Sequence, residues 1–327
     1  MSEKTKPLTD DSALAGEESI KGFQNAVKHG ERIARLSQLK KRSRQMASYM
    51  LDMADNPFDT KTANNVAACS TWLVFNHYYT VDEVRLSKAV TCKKHLLCPV
   101  CAKIRAVKQA IKYMERLDQV LQEKPNLVPA MMTLTVKNGP DLTERFKHLA
   151  DSWKTYQGRR RDFVKKGRGF NELCRTQGGV FSYEFTKSQA GWHPHLHAVV
   201  LLDSKIDKHQ LSEEWHQITG DSFITDIRKL KPNKTQDIAD AFLEVFKYAL
   251  KFSEMDLEDN LDAYHELKGK RLQGAYGAFW GVEVPEKMTD DLLEGLPYLE
   301  LFYQYLNGKG YNLEKTVKRD CHEKEVS

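Results

Sequence analysis

The sequence predicts an α+β fold, an antiparallel sheet with helices packed on one side, joined to an N-terminal Cys-rich module. Three observations carry this reading. Val180 to Thr186 alternates and is rich in β-formers, Lys187 to Gly191 reads as a turn, and Trp192 to Leu202 ends in an apolar run, so the two stretches form a hairpin and force antiparallel pairing. Strand patterns then alternate with 3.6-residue periodicity along residues 126–255, which an α+β layer accommodates. Upstream, Cys92, Cys98 and Cys101 crowd into one short segment.

In chain order, residues 1–20 are polar and aperiodic and are expected as a disordered tail. Residues 21–125 form a basic helical and Cys-rich region. In it, 21–55 reads as a helix with Pro57 near its end, 65–105 holds the cysteines, and Lys103 to Gln122 is a further helix. The expected elements of 126–255 are strand 130–137, helix 142–166, hairpin 179–202, helix 208–218, strand 222–229 and helix 236–253. Residues 256–327 form a C-terminal extension, with a small element around Gly274 to Gly281 and then a helical tail. No signal peptide is visible and the longest apolar run, Ala198 to Leu202, is far too short to span a bilayer, so the protein is expected to be soluble and cytoplasmic, without a membrane partner.

His195 and His197 stand at the head of that apolar run. Side chains two apart in a strand share a face, so both imidazoles are placed to bind one ion; the bland alternative is two surface histidines. His193 shares the face, but a straight strand puts it roughly 13 Å from His197, too far for one ion unless Pro194 bends the chain. If Thr186 faces His193, Glu184 faces His195, and this carboxylate is the preferred third ligand, with His193 the alternative. Two imidazoles and a carboxylate suit catalytic zinc and are equally compatible with Mn or Mg.

Ile238 to Phe252 reads as an amphipathic helix on which Glu244, Tyr248 and Lys251 stand at i, i+4 and i+7, one flank beside the buried stripe. Taken alone, these are a boundary tyrosine and two solvated charges.

The order of parts is more specific. Leu134 to Asn138, then His195-Leu196-His197, then Glu244 with Tyr248 and Lys251 resemble the three motifs of rolling-circle plasmid replication initiators of the HUH endonuclease superfamily, over roughly residues 85 to 255. The resemblance is to the single-tyrosine branch, since no second tyrosine lies near position 244. It implies a palm-like core and a site-specific, metal-dependent (Mg or Mn) nicking and joining enzyme. Tyr248 would be the nucleophile that forms a 5′ phosphotyrosine, Lys251 would stabilise charge, and Glu244 would activate water in the closing step. It also implies plasmid origin DNA, single-stranded or hairpin at the nick, as substrate, and host helicase, DNA polymerase and single-strand-binding protein as partners. A free phenol is a poor nucleophile at neutral pH, which is why such a site needs a cation and a lysine nearby.

Cys92, Cys98 and Cys101 have the grammar of a structural zinc site, with Cys69, His95 or His77 as the open fourth position; buried free thiols are the alternative. Fifty Lys and Arg against 45 Asp and Glu leave a net charge of only +5, but the excess is local. Residues 21–44 hold eight basic residues against Glu31, and 154–175 holds Arg159, Arg160, Arg161, Lys165, Lys166 and Arg168 with few acids, so both runs are candidate phosphate contacts or else solvated helix faces. Two other function classes share these features. One is an HUH relaxase or transposase, although relaxases place the tyrosine before the His motif. The other is a non-enzymatic zinc-containing DNA-binding regulator.

Overall fold

A computed structural model describes residues 11–54, 56–231, 235–247 and 255–320. The chain opens with helices α1 (Asp11–Asp52) and α2 (Pro57–Ala68), strands β1 (Trp72–Tyr78) and β2 (Glu83–Ala89), and helix α3 (Pro99–Glu123). Strand β3 (Val128–Thr135), helix α4 (Leu142–Lys166), strands β4 (Thr176–Ser188) and β5 (Gly191–Leu202), helix α5 (Lys208–Thr219), strand β6 (Thr225–Lys229) and helix α6 (Thr235–Phe246) follow. Helix α7 (Leu257–Leu267) and strands β7 (Gln273–Gly277), β8 (Tyr298–Leu306) and β9 (Gly310–Arg319) complete it.

The expected hairpin is β4 with β5, in the register Glu184 to His195 and Thr186 to His193. Only Gln189 and Ala190 join the strands, and the tight turn takes Gly191 to φ +93. A Cβ on Gly191 would lie 2.4 Å from the carbonyl oxygen of Gly139. That approach lets Gly139 and Trp192 exchange backbone hydrogen bonds of 3.1 and 2.7 Å, which pins the head of β5 to the loop after β3.

β5 is the central strand of a five-stranded antiparallel sheet ordered β6-β3-β5-β4-β7. Its even positions Leu196, Ala198 and Val200 pack with Trp153 and Tyr156 of α4 and Trp215 of α5. Its odd positions Val199 and Leu201 pack with Tyr113 of α3 and Phe242 and Val245 of α6. The helical layer expected on one side is therefore α4 with α5, and a second layer, α3 with α6, covers the other face. The continuous run Ala198 to Leu202 carries that signal, because a strand buried on both faces does not alternate.

The N-terminal region builds its own four-stranded antiparallel sheet, β2-β1-β8-β9. The expected helical tail is thus corrected: it is a β-hairpin whose first strand pairs along β1, Trp72 to Gln304 through His77 to Leu299. Its Leu, Phe and Tyr spacing fits a pleated surface, and Gly308 and Gly310 make the turn. Glu300, buried on β8, receives Lys88 of β2 at 3.3 Å and Arg319 of β9 at 2.7 Å, tying three strands together. Two expected boundaries shift as well. α1 begins at Asp11, inside the stretch read as a polar tail, and β7 extends the larger sheet by pairing with β4. No described helix is long and apolar enough to cross a membrane.

Phe242 is fully buried between α3 and the sheet and holds α6 in place. Phe242→Ala should cost about 3–5 kcal/mol in urea unfolding; a loss below about 1 kcal/mol would show that α6 is not anchored there.

Candidate functional site

Strand register sets two rows of side chains on the α6 face of the sheet. Thr133 of β3, His197 of β5 and Ser182 of β4 lie abreast, and Thr135, His195 and Glu184 form the next row. α6 closes over them, with the Ser182 hydroxyl donating to the backbone carbonyl of Val245. The consequence is a cluster in which ligand atoms of Glu184, His197 and Glu244 all lie within 4.8 Å of one another.

Glu184 and His197 are buried, and Glu184 Oε2 lies 3.0 Å from His197 Nε2. Thr133 Oγ1 is 3.2 Å from His197 Nδ1. When Nδ1–H donates to that hydroxyl, the Nε2 lone pair faces a carboxylate oxygen, and two acceptors in contact require a cation or a proton between them. Glu244 is half-buried, and its two oxygens accept from Lys247 Nζ at 3.2 Å each. Adjacent ligands of an octahedral ion with bonds of about 2.1 Å stand about 3 Å apart, so the Glu184 to His197 separation fits such an ion, and mixed N/O donors suit Mn or Mg.

His195 stands at the edge of this cluster. Its ring centroid is 5.7 Å from that of His197 and 4.1 Å from that of His193, so the three imidazoles form a row along β5. Of the expected His195, His197 and Glu184 set, Glu184 and His197 fall in this cluster, and Glu244 joins them. Sequence spacing could not show this, because the approach of Glu244 depends on how α6 crosses the sheet. Tyr248 and Lys251 lie outside the described residues.

The second cluster is Cys69, Cys92, Cys98 and Cys101. Sγ separations are 3.5 Å for Cys69 to Cys101, 3.7 Å for Cys92 to Cys101 and 3.6 Å for Cys98 to Cys69. A tetrahedron of Zn–S bonds of about 2.3 Å has edges of about 3.8 Å, so the four sulfurs fit zinc closely. Cys69, at the end of α2, fills the open fourth position; His77 instead bonds Asp82 at 3.0 Å. Hydrogen bonds from Cys101, Cys92 and Cys98 push the Cys69 thiol pKa down, while Cys69 in turn pushes those of Cys101 and Cys92 up, so the four thiols titrate as one cluster. The Cys92 backbone N–H also donates to Cys69 Sγ at 3.4 Å. Buried Lys40 donates to the carbonyls of Ala67, at 2.6 Å, and Cys69, setting an ammonium beside a site that would carry excess negative charge. Lys40 had been read only as part of a basic run.

Several cations of the two basic runs make structural contacts. In α1, Arg32 pairs with Asp290 at 3.0 Å and Arg42 donates to Met255 O at 2.7 Å. In α4, Arg160 donates to Thr176 O at 3.2 and 2.6 Å and lies 5.0 Å over the Tyr276 ring. Lys166 pairs with Asp162 at 3.5 Å, while Arg159, Arg161, Lys165 and Arg168 are exposed. Thr176 sits opposite Leu202, about 17 Å along β5 from His197, and α4 covers the opposite face of the sheet. The structure does not bring this run to the Glu184 cluster.

A family model described as Replication protein matches residues 83–297. The chain belongs to this family. The match takes in β2 through the segment before β8, and with it both clusters apart from Cys69. A curated relative, Protein rep of Streptococcus pneumoniae serotype 2 (strain D39 / NCTC 7466), is 30% identical over 214 residues, 60% of this chain. The chain spans 63% of that relative's length. No solved structure matches it. Membership agrees with the resemblance read from the sequence motifs.

Cys69→Ser should remove about one zinc per chain by elemental analysis and lower the melting temperature, whereas Cys174→Ser, outside the cluster, should change neither. Equal zinc content in both variants would remove Cys69 from the site. At the other cluster, Glu244→Gln and Glu184→Gln should each weaken Mn binding by about tenfold or more in calorimetry. A residue that only activates water would leave Mn affinity unchanged.

Proposed function

We propose that this member of the Replication protein family starts rolling-circle replication of a plasmid by nicking and rejoining one strand of its origin. The observation that carries the reading is the Glu184, His197 and Glu244 cluster, which gathers ion ligands from β4, β5 and α6, with Tyr248 four residues after Glu244 in the sequence. A divalent ion bound there supplies Lewis-acid polarisation of the scissile phosphate.

The chain's own residues supply the rest. The Tyr248 phenolic oxygen attacks phosphorus, losing its proton, as the bond to the 3′ oxygen breaks and that oxygen leaves as a hydroxyl. The product is a 5′ phosphotyrosine that keeps the energy of the diester, so a later 3′ end can reverse the step and close a circle. Lys251, three residues on, stabilises the phenolate or the phosphorane charge. Thr133 fixes the His197 ring, and Glu184, buried against it, fixes the other side. The position of Glu244 beside these two favours an ion-ligand role over water activation in the closing step, and Lys247 offsets its charge. The Cys69, Cys92, Cys98 and Cys101 site is structural: it joins the end of α2 to the start of α3.

The order of the motifs, with Tyr248 after the His pair, supports an initiator over a relaxase. The ion-ligand cluster supports an enzyme over a regulator that only binds DNA.

Incubating the protein with single-stranded origin oligonucleotides and Mn should give a nucleotide-linked peptide containing Tyr248 in mass spectrometry. Tyr248→Phe should abolish both adduct and nicking. Nicking by that variant at the wild-type rate would overturn the nucleophile assignment.

A further inference from the structure

We propose that a basic groove between the Cys92 to Cys98 loop, α3 and the α7–β7 connection is the track along which single-stranded DNA runs to the Glu184, His197 and Glu244 cluster. The inference rests on the nicking function proposed above, and it moves DNA contact away from the α4 run. The groove holds about 550 Å³ and is lined by Lys93, Lys94, Arg105, Lys268, Lys270 and Arg271, with Lys247 at one end. No Asp or Glu is among its described lining residues. Such a gathering of cations is unexpected in a chain whose net charge is only +5.

Two neighbouring hollows extend it. One, of about 350 Å³, shares Lys247, is lined by Lys103, Asp240 and Glu244, and so reaches the Glu244 side of the ion-ligand cluster. The other, of about 330 Å³, shares Gln109, Phe246, Arg271 and Gln273 and carries Trp280, which is 67% exposed. The line therefore runs from carboxylate cluster to cationic trough to an open indole face.

Charge and shape select the occupant. A positive trough follows a phosphate backbone, and an exposed aromatic face stacks on bases. Only unpaired bases present such a face, which favours a single strand over a duplex. Some of its cations also make local contacts that leave them charged. Lys268 lies 3.6 Å over the Phe58 ring and Lys270 5.7 Å over Phe146, and the Lys93 to Glu286 pair at 3.7 Å is solvent-exposed. This chemistry was invisible in the sequence because its lysines and arginines come from separated segments around residues 93–105 and 268–271.

The test is fluorescence anisotropy of a labelled single-stranded oligonucleotide with the full chain and no added Mn or Mg, across a salt series. The triple variant Arg105→Gln, Lys268→Gln, Arg271→Gln should bind at least about tenfold more weakly, and its slope of log affinity against log salt should fall by about 2. The matched triple Arg159→Gln, Arg161→Gln, Lys165→Gln on α4, with the same charge change, should bind close to wild type. Trp280→Ala, at an exposed position, should weaken binding about fivefold or more and serves if the groove triple loses its zinc or its cooperative melting. The proposal is overturned if the α4 triple weakens binding as much as the groove triple, or if both a folded groove triple and Trp280→Ala bind as wild type. It is equally overturned if duplex of the same length binds more tightly, or if polyglutamate at equal charge competes as well as unlabelled oligonucleotide, which would assign the groove to an acidic protein. Groove-dependent binding without any Tyr248 adduct would remove the nicking function and leave the groove standing.

Discussion

The arrangement depends on the register of one hairpin. With a period of two, shifting β4 against β5 by a single residue would send Glu184 to the opposite face from His197 and place Tyr183 or Phe185 against the imidazole row. The register is held at both ends. At the turn, Gly191 adopts a left-handed φ and Trp192 locks to Gly139; at the far end the register runs to Gly178 opposite Leu201, a bulge follows, and Arg160 caps the carbonyl of Thr176 beyond it. Between them the apolar faces of β5 are committed to different helices, so a slip would bury polar groups on both sides. The rigidity of this strand lets a buried carboxylate and imidazole be held 3.0 Å apart.

The second constraint is the doubled helical layer. Had the α6 face been open, Glu184 and His197 would sit in water, where an ion-binding set gains little from its geometry. α3 and α6 instead dry that face with Tyr113, Phe242 and Val245 and lower Glu244 onto it. α3 begins at the Cys cluster, where Cys98 and Cys101 lie in its first turns, and so the sulfur site fixes the start of the helix that α6 packs on. The two clusters are therefore mechanically connected: one shapes the scaffold, and the other uses it.

Legibility varied by element, for physical reasons. α4 matches its expected span, Leu142–Lys166, because its start and stop are local: the Asp141 side chain accepts from the Glu144 N–H, and Gly167 ends the helix at φ +66. The hairpin register was legible as well, since a short turn fixes pairing. The C-terminal hairpin reads as a helix only if its Asn307-Gly308 turn is passed over; what no local signal gives is that β8 also pairs with β1, more than 200 residues away. Cys69 could be offered only as one of three fourth ligands for the same reason: a hairpin, β1 with β2, intervenes before Cys92. The α4 basic run was legible as charge but not as place, and strand geometry sets it at the far end of the sheet.

From the sequence alone come the residue chemistry and the local pairings: the imidazoles two apart, Glu184 opposite His195, three clustered cysteines, and the ordered motifs that match a family of replication proteins. These follow from side-chain periodicity and turn chemistry, which act over a few residues. Tertiary structure alone decided that Glu244 joins Glu184 and His197, that Cys69 completes the sulfur tetrahedron, and that cations from separated segments line one groove. Each of these is a contact between distant segments, and the energy that makes it comes from packing two helical layers on one sheet rather than from any local preference of the chain.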